Sequence, residues 1–274
     1  MESAPDARPD DAGRRQAEAF AQHVAPTLLS VARRAIDLAE IEDGNSILDV
    51  ATGTGLAAFL AAERVGREGT VIGMDTAPAM LEVAKERATA AGNGFIRWRE
   101  GDPARLSFAD ESFDAVLCLQ SVAEFERPDA VLEELRRILV EGGRLVLTWW
   151  GTRANNEWID LVDRAVRRVQ TGPPGRPFRL LQPSNLEVLL QAAGFEQVEV
   201  GRVSDRMRFL DVDGLWHWAA ASREWGTLLH GLGAADKERV RAALAERLAG
   251  RRRGGEVAIG REIVYARAIA PPAP

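Results

Sequence analysis

The chain has 274 residues, 46% of them hydrophobic, which suits one α/β domain with an elaboration or two small domains around a sizeable core. A net charge of -6 argues against nucleic acid as the default partner, and the local patch Arg251-Arg252-Arg253 reads as a solvated loop. A single cysteine, Cys118, excludes an internal disulfide framework and a cysteine-based zinc cluster; within Ala115–Leu119 it reads as a buried, inert thiol. No apolar run is long enough for a bilayer and no signal peptide opens the chain, so a cytoplasmic location is expected, without a membrane partner.

In chain order, residues 1–13 read as a frayed tail, and Arg14 to Leu38 as one or two helices interrupted near Pro26. Ser46–Val50 has strand character and breaks into Ala51-Thr52-Gly53-Thr54-Gly55, followed by a helix Leu56–Val65 ended by Gly66. Thr70–Asp75 is a second strand, and Pro78 opens a helix to about Ala91. Phe95–Arg99 and the apolar run Phe113–Leu119 are the third and fourth strands. A helix from Pro128 to Leu139 is expected to end at Glu141-Gly142-Gly143, before a fifth strand from Arg144 to Trp149.

Strands alternating with helices predict a parallel, doubly wound sheet. Beyond Asn155 the pattern loosens into a helix near Trp158–Val169, the Pro/Gly-rich stretch 172–177, and a helix Asn185–Ala193 capped by Ser184. Strands Phe195–Val200 and Ile263–Ile269 follow, with a helical insertion expected at about 201–260 between them. The chain thus divides into N-terminal helices (1–40), a core (41–150) and a C-terminal half carrying the insertion (151–274).

Chemistry concentrates at strand ends. Gly53 and Gly55 let backbone amides approach a ligand beside a helix N-terminus, and Asp49 precedes them inside the first strand. Asp75 ends the second strand about twenty residues after Gly55, a spacing that suits a carboxylate accepting both hydroxyls of an adenosine ribose; the alternative is an acid that caps the next helix. Gly53-Thr54-Gly55-Leu56-Ala57-Ala58 also satisfies a loose dinucleotide fingerprint, so a nicotinamide dehydrogenase is a rival. Asp49 where a pyrophosphate would lie, the further polar station Gly101-Asp102, and the turn Glu141-Gly142-Gly143-Arg144-Leu145 weigh against it.

With Ile47–Gly55, Gly73–Leu81, Gly101-Asp102, Ser112–Val116 and Leu132–Leu147 in order and spacing, the chain resembles the class I S-adenosylmethionine-dependent methyltransferases, in particular the small-molecule group described as type 11 or UbiE-like. The resemblance implies a Rossmann-like, seven-stranded sheet, mostly parallel with an antiparallel last strand (Ile263–Ile269), plus a helical lid. It implies that Asp49, Gly53, Thr54 and Gly55 hold the methionine part of S-adenosylmethionine, and that Asp75 with Thr76 binds the ribose. Met74 and Met80 would pack near the adenine, Asp102 would accept from its amine, and Pro103 would sit beside the ring in place of a backbone donor. Leu119 and Gln120 would lie near the transferred methyl. The N-terminal stretch with Phe20 and Gln22 would close over the cofactor, and the product would be S-adenosylhomocysteine.

Relatives often place a histidine after the fourth strand; here Ser121–Glu126 stands there. Candidate bases are therefore Glu124 or Glu126, and His217 or His230 in the insertion, with His23 behind them; no histidine pair has ligand spacing with an acid, so no metal is expected. Trp149, Trp150, Trp216, Trp218 and Trp225 at the expected mouth of the pocket point to a flat or lipophilic small acceptor, although tryptophans at such spacing also build ordinary core. A metabolite methyltransferase, working as a monomer or homodimer, is the reading these residues favour. The alternative is a cyclisation or decarboxylation that uses the same bound cofactor.

Overall fold

The computed structural model describes residues 11–170, 183–253 and 255–272; the Pro/Gly-rich stretch 172–177 lies outside them. The sheet comprises β1 (Ser46–Val50), β2 (Thr70–Asp75), β3 (Arg97–Glu100), β4 (Phe113–Leu119), β5 (Leu139–Trp150), β6 (Glu196–Phe209), the two-residue β7 (Arg252–Arg253) and β8 (Glu256–Ile269). Its order is β3-β2-β1-β4-β5-β8-β6, with β7 paired to β8 at the edge. The first five strands are parallel, and β8 runs antiparallel to both β5 and β6. This is the mostly parallel seven-stranded sheet with an antiparallel last strand that the family resemblance implies, extended by the short β7.

The helices are α1 (Asp11–Ala19), α2 (Leu29–Leu38), α3 (Leu56–Val65), α4 (Pro78–Ala90), α5 (Pro128–Ile138), α6 (Glu157–Val166), α7 (Pro183–Ala192), α8 (Val212–Ala221), α9 (Gly226–Gly231) and α10 (Ala234–Leu248). Alternating side chains of the central strands feed two cores. Leu48, Val50, Val116 and Cys118 pack with Leu132, Leu135 and Leu186 on one face, while Ile47, Ala115 and Leu117 pack with Ala35, Ala58 and Ala61 on the other. None of the helices among the described residues is long and apolar enough to cross a membrane.

Pro26 interrupts the N-terminal helices by changing their hydrogen-bond register rather than by breaking them. It has no N–H to give and its ring crowds the preceding turn, so Phe20–Val24 forms a π turn and Ala25–Leu28 a 3-10 turn before α2 resumes. Thr27 Oγ1 donates to the Val24 carbonyl at 2.7 Å within this segment.

Four boundaries differ from expectation. β3 begins at Arg97, because Phe95 is left outside the ladder and exposed. β5 begins at Leu139 and contains Glu141-Gly142-Gly143: Leu139 pairs with Phe113 before the register shifts, and Gly142 (φ +73) bulges out to donate to the Ala270 carbonyl. α7 starts at Pro183, so Ser184 lies inside the helix instead of capping it. The insertion is also shorter than 201–260. β6 continues to Phe209 and β8 starts at Glu256, paired from Glu196↔Ile269 to Phe209↔Val257. The polar run Arg202–Arg208 hides this extension, because most of β6 is exposed and its only buried residues, Met207 and Phe209, lie near its end. There they join a third core with Trp158, Leu215, Trp218 and Leu244, which seats α6, α8 and α10 beyond the sheet.

Candidate active site

Strand order reverses between β2-β1 and β4-β5, and in an open α/β sheet the crevice at such a switch lies at the carboxyl ends of the strands. Two adjoining cavities occupy that crevice. One, of about 410 Å³, is lined by Asp49, Gly53, Thr54, Met80, Leu119 and Gln120 together with side chains of the N-terminal segment and the insertion. The other, of about 470 Å³, is lined by Met74, Gly101, Asp102 and Pro103. Ala51, Asp75, Thr76, Ser121, Glu124 and Arg223 belong to both walls, so the two spaces are compartments of one site.

The turn after β1 is built by acids at its two ends. Asp49, 1% exposed, accepts from Thr52 Oγ1 at 2.6 Å and from the Ala58 amide at 3.0 Å, tying the turn to the first turn of α3. Burial, with a further push from Asp75, raises its carboxyl to about 7 despite those two bonds. Asp75 accepts from the Gly53 amide at 2.8 Å and from the Ala77 amide at 3.0 Å. Thr54 is fixed from outside: Arg87 Nη1 donates to its carbonyl at 2.9 Å and its hydroxyl at 3.0 Å.

Gly53 and Gly55 are left-handed (φ +55 and +88), as is Ala51 (φ +56), which the sequence reading passed over. An alanine in that region costs about 1–2 kcal/mol. Ala51→Gly is therefore expected to stabilise the fold by about 0.5–1 kcal/mol after glycine's entropic cost, read from a denaturant midpoint shift at constant slope.

Gln120 follows β4 in another left-handed conformation (φ +56), where its amide donates to the Thr148 carbonyl at 2.8 Å. Its Nε2 donates to Thr148 Oγ1 at 3.3 Å, while Oε1 is buried with no donor among the described residues. A buried acceptor without a partner is costly in a finished core; at the wall of a cavity it fits a ligand that brings a donor. Asp102 accepts from the Ala104 amide at 2.9 Å, and buried Pro103 lies beside it. These acceptors thus suit an adenosyl amino acid, with acids for an ammonium and a diol.

Several expected residues fall elsewhere. Gly55 does not line the cavity; its place is structural, under Trp98 and Phe59. Met74 and Met80 sit in different compartments. Phe20 and Trp150 line the larger space, and Phe20 closes over Gly53. Trp149 is buried in the sheet core and Trp216 in the insertion, beneath the Arg241 guanidinium. Adjacent strand residues face opposite sides, so Trp149 and Trp150 cannot both reach the cavity. Glu124 and His230 are on the wall, whereas His217 is exposed and stacks on His23 at 5.0 Å.

Trp218, one of the insertion tryptophans noted in the sequence, lies on the wall, as does Glu224, which sequence reasoning missed. Trp150, Trp158 and Trp218 pack edge to face at 5.0–6.5 Å, so Trp218 sits in the same aromatic group as Trp150. Glu224 accepts from Trp150 Nε1 at 2.9 Å, and burial pushes its carboxyl up.

Comparison with known proteins finds methyltransferases in sequence and in fold. Residues 48–147 match the type 11 family described as Methyltransferase domain. Nocamycin O-methyltransferase of Saccharothrix syringae is 42% identical over 118 residues, covering 43% of this chain and 42% of the relative. Demethylmenaquinone methyltransferase of Thermus thermophilus is 44% identical over 116 residues, covering 42% and 51%. The chain thus spans about half the length of these relatives. A SAM-dependent methyltransferase from Aquifex aeolicus shares the fold, with a TM-score of 0.56 over 93% of this chain and 98% of that one at 15% identity. Residues 48–147, which carry the glycine turn and the strand-end acids, thus match the type 11 Methyltransferase domain.

Proposed function

We propose that the protein transfers a methyl group from S-adenosylmethionine to a small lipophilic or aromatic acceptor. The observation that carries the reading is one site with two unlike ends. Acids and amides of the glycine turn lie at one, and Phe20, Leu28, Val31, Trp150 and Trp218 at the other. The relatives named for nocamycin and demethylmenaquinone support a small-molecule acceptor.

Asp49, Gly53 and Thr54 would hold the amino-acid part, Asp75 and Thr76 the ribose, and Met74, Asp102 and Pro103 the adenine. The bound cofactor supplies a methyl carbon already electrophilic on its sulfonium. The chain's own task is then alignment and exclusion of water, which in favourable cases accounts for about 7–11 kcal/mol. Phe20 over the glycine turn and Trp150 with Trp218 opposite would close the reacting space. Calorimetry with S-adenosylhomocysteine against NADH tests the cofactor: binding of NADH alone would overturn the reading. A mass gain of one methylene unit in a panel of hydroxylated and quinonoid aromatics tests the reaction.

Asp49 makes cofactor binding pH-dependent. With its carboxyl near 7 in the free protein, it is largely protonated at pH 6. An arriving ammonium favours the carboxylate, so binding at pH 6 is expected to expel about one proton and to strengthen as pH rises through 7. Calorimetry of S-adenosylhomocysteine in two buffers of different ionisation enthalpy measures this, and Asp49→Asn should abolish the release. The same raised value contributes stability that is fully present below the ordinary carboxyl range and is lost as pH rises through about 7. No release from the wild type would remove Asp49 from contact with the ligand.

A further inference from the structure

Two acids on the cavity wall, Glu124 and Glu224, have no part in holding the cofactor as described above. Glu224 lies in the turn between α8 and α9, beside Trp150, Trp218, Thr227 and His230 on the wall. The indole N–H of Trp150 donates to Glu224 Oε1 at 2.9 Å, which fixes the carboxyl relative to the end of β5. Gln120 Oε1, at the end of the neighbouring strand β4, is a second buried acceptor on the wall of the same cavity, with no donor among the described residues. A largely aromatic space that presents acceptors selects a ligand carrying a donor, because a ligand without one leaves those groups unpaired.

The geometry points to Glu224 as the base that takes the proton from a hydroxyl of an aromatic acceptor, with Trp150 as its positioning residue. This inference rests on reading the cavity as a methyl-transfer site. In the step, the acceptor's O–H bond breaks and its proton passes to the Glu224 carboxylate. The freed oxygen lone pair forms the new C–O bond to the methyl carbon, and the electron pair of the broken C–S bond stays with sulfur. The product is an aryl methyl ether.

The surroundings suit that exchange. Burial raises the Glu224 carboxyl; the Trp150 indole and Arg223 draw it back, and Glu124 pushes it up again. His230, Asp49 and Asp75 are the other titratable side chains on this wall. A base serves best when its proton affinity is near the working pH, and enclosure moves a carboxylate in that direction.

The test uses protein loaded with S-adenosylhomocysteine and two probes of nearly equal shape, 2-naphthol and 2-methylnaphthalene, followed by fluorescence between pH 5 and 8. The wild type is expected to favour 2-naphthol by about tenfold or more, a preference that grows as Glu224 ionises. Glu224→Ala should bring the two affinities together. Glu224→Gln, which keeps an acceptor for Trp150, should retain a small preference that no longer varies with pH. Both variants should bind S-adenosylhomocysteine as the wild type does. Equal affinities in the wild type, no binding of either probe, or an unchanged pH-dependent preference in Glu224→Gln would overturn the proposal. Failure of the wild type to bind S-adenosylhomocysteine would instead strike the cofactor reading beneath it.

Discussion

Asp75→Ala is expected to weaken S-adenosylhomocysteine binding by about 1.5–3 kcal/mol, roughly 10- to 150-fold, through loss of charge-assisted hydrogen bonds to the ribose. Asp75 is 6% exposed and stands on the wall shared by both compartments, where a sugar between an amino-acid end and an adenine would lie. Its oxygens already accept from the Gly53 and Ala77 amides, yet each carboxylate oxygen retains a further lone pair for a hydroxyl. The substitution also frees the glycine turn, so stability has to be read beside affinity. Comparison of adenosine with 2′-deoxyadenosine separates the two effects. The wild type should prefer adenosine, and the variant should bind both alike. A variant with lowered melting temperature but unchanged affinity and unchanged sugar preference would leave Asp75 a structural role only.

Gly55→Ala is expected to destabilise the fold by about 2–4 kcal/mol, with two separable causes. The first is local: φ is +88 at this position, where a Cβ is strained whatever surrounds it. The second is tertiary. A Cβ there would come within 2.6 Å of the Trp98 ring and 2.9 Å of Phe59, because the tryptophan of the edge strand β3 lies across the start of α3. Trp98 also lies against Gly73, where an added Cβ would sit 2.5 Å from its ring. Thermal melts of Gly55→Ala, Trp98→Ala and the double variant apportion the two causes. The double variant should lose less than the sum of the singles, by the share due to the clash. Strict additivity would assign the whole cost to the backbone.

The strand-end half of the candidate site was legible in the sequence because it is made of strand exits. Asp49 and Asp75 reach one cavity because β1 and β2 are parallel neighbours, paired Asp49↔Gly73, so acids near their carboxyl ends arrive at the same rim. That follows from alternation of strand and helix alone. The departures came where one residue type served two purposes. Gly142 and Gly143 read as the end of a helix, yet they form a bulge inside β5, because Leu139 finds a partner in Phe113 before the glycines are reached. The ribbon of β6 and β8 was read too short, because its exposed residues carry charge that resembles a loop.

Sequence by itself determined the doubly wound sheet, the left-handed glycine turn and the acids at the strand ends. These depend on period, on backbone freedom at single residues and on separations along one chain. Tertiary structure alone decided the aromatic end of the cavity. Trp150 rather than Trp149, and Trp218 rather than Trp216, reach the cavity because strand pleat and helix phase send near neighbours to different sides. Glu224 reaches the cavity wall because α8 and α9 fold back over the rim from the end of β6, which places it 74 residues beyond Trp150 in the chain. A contact across that separation leaves no periodic trace, and only the packed insertion brings the Trp150 indole to the Glu224 carboxyl.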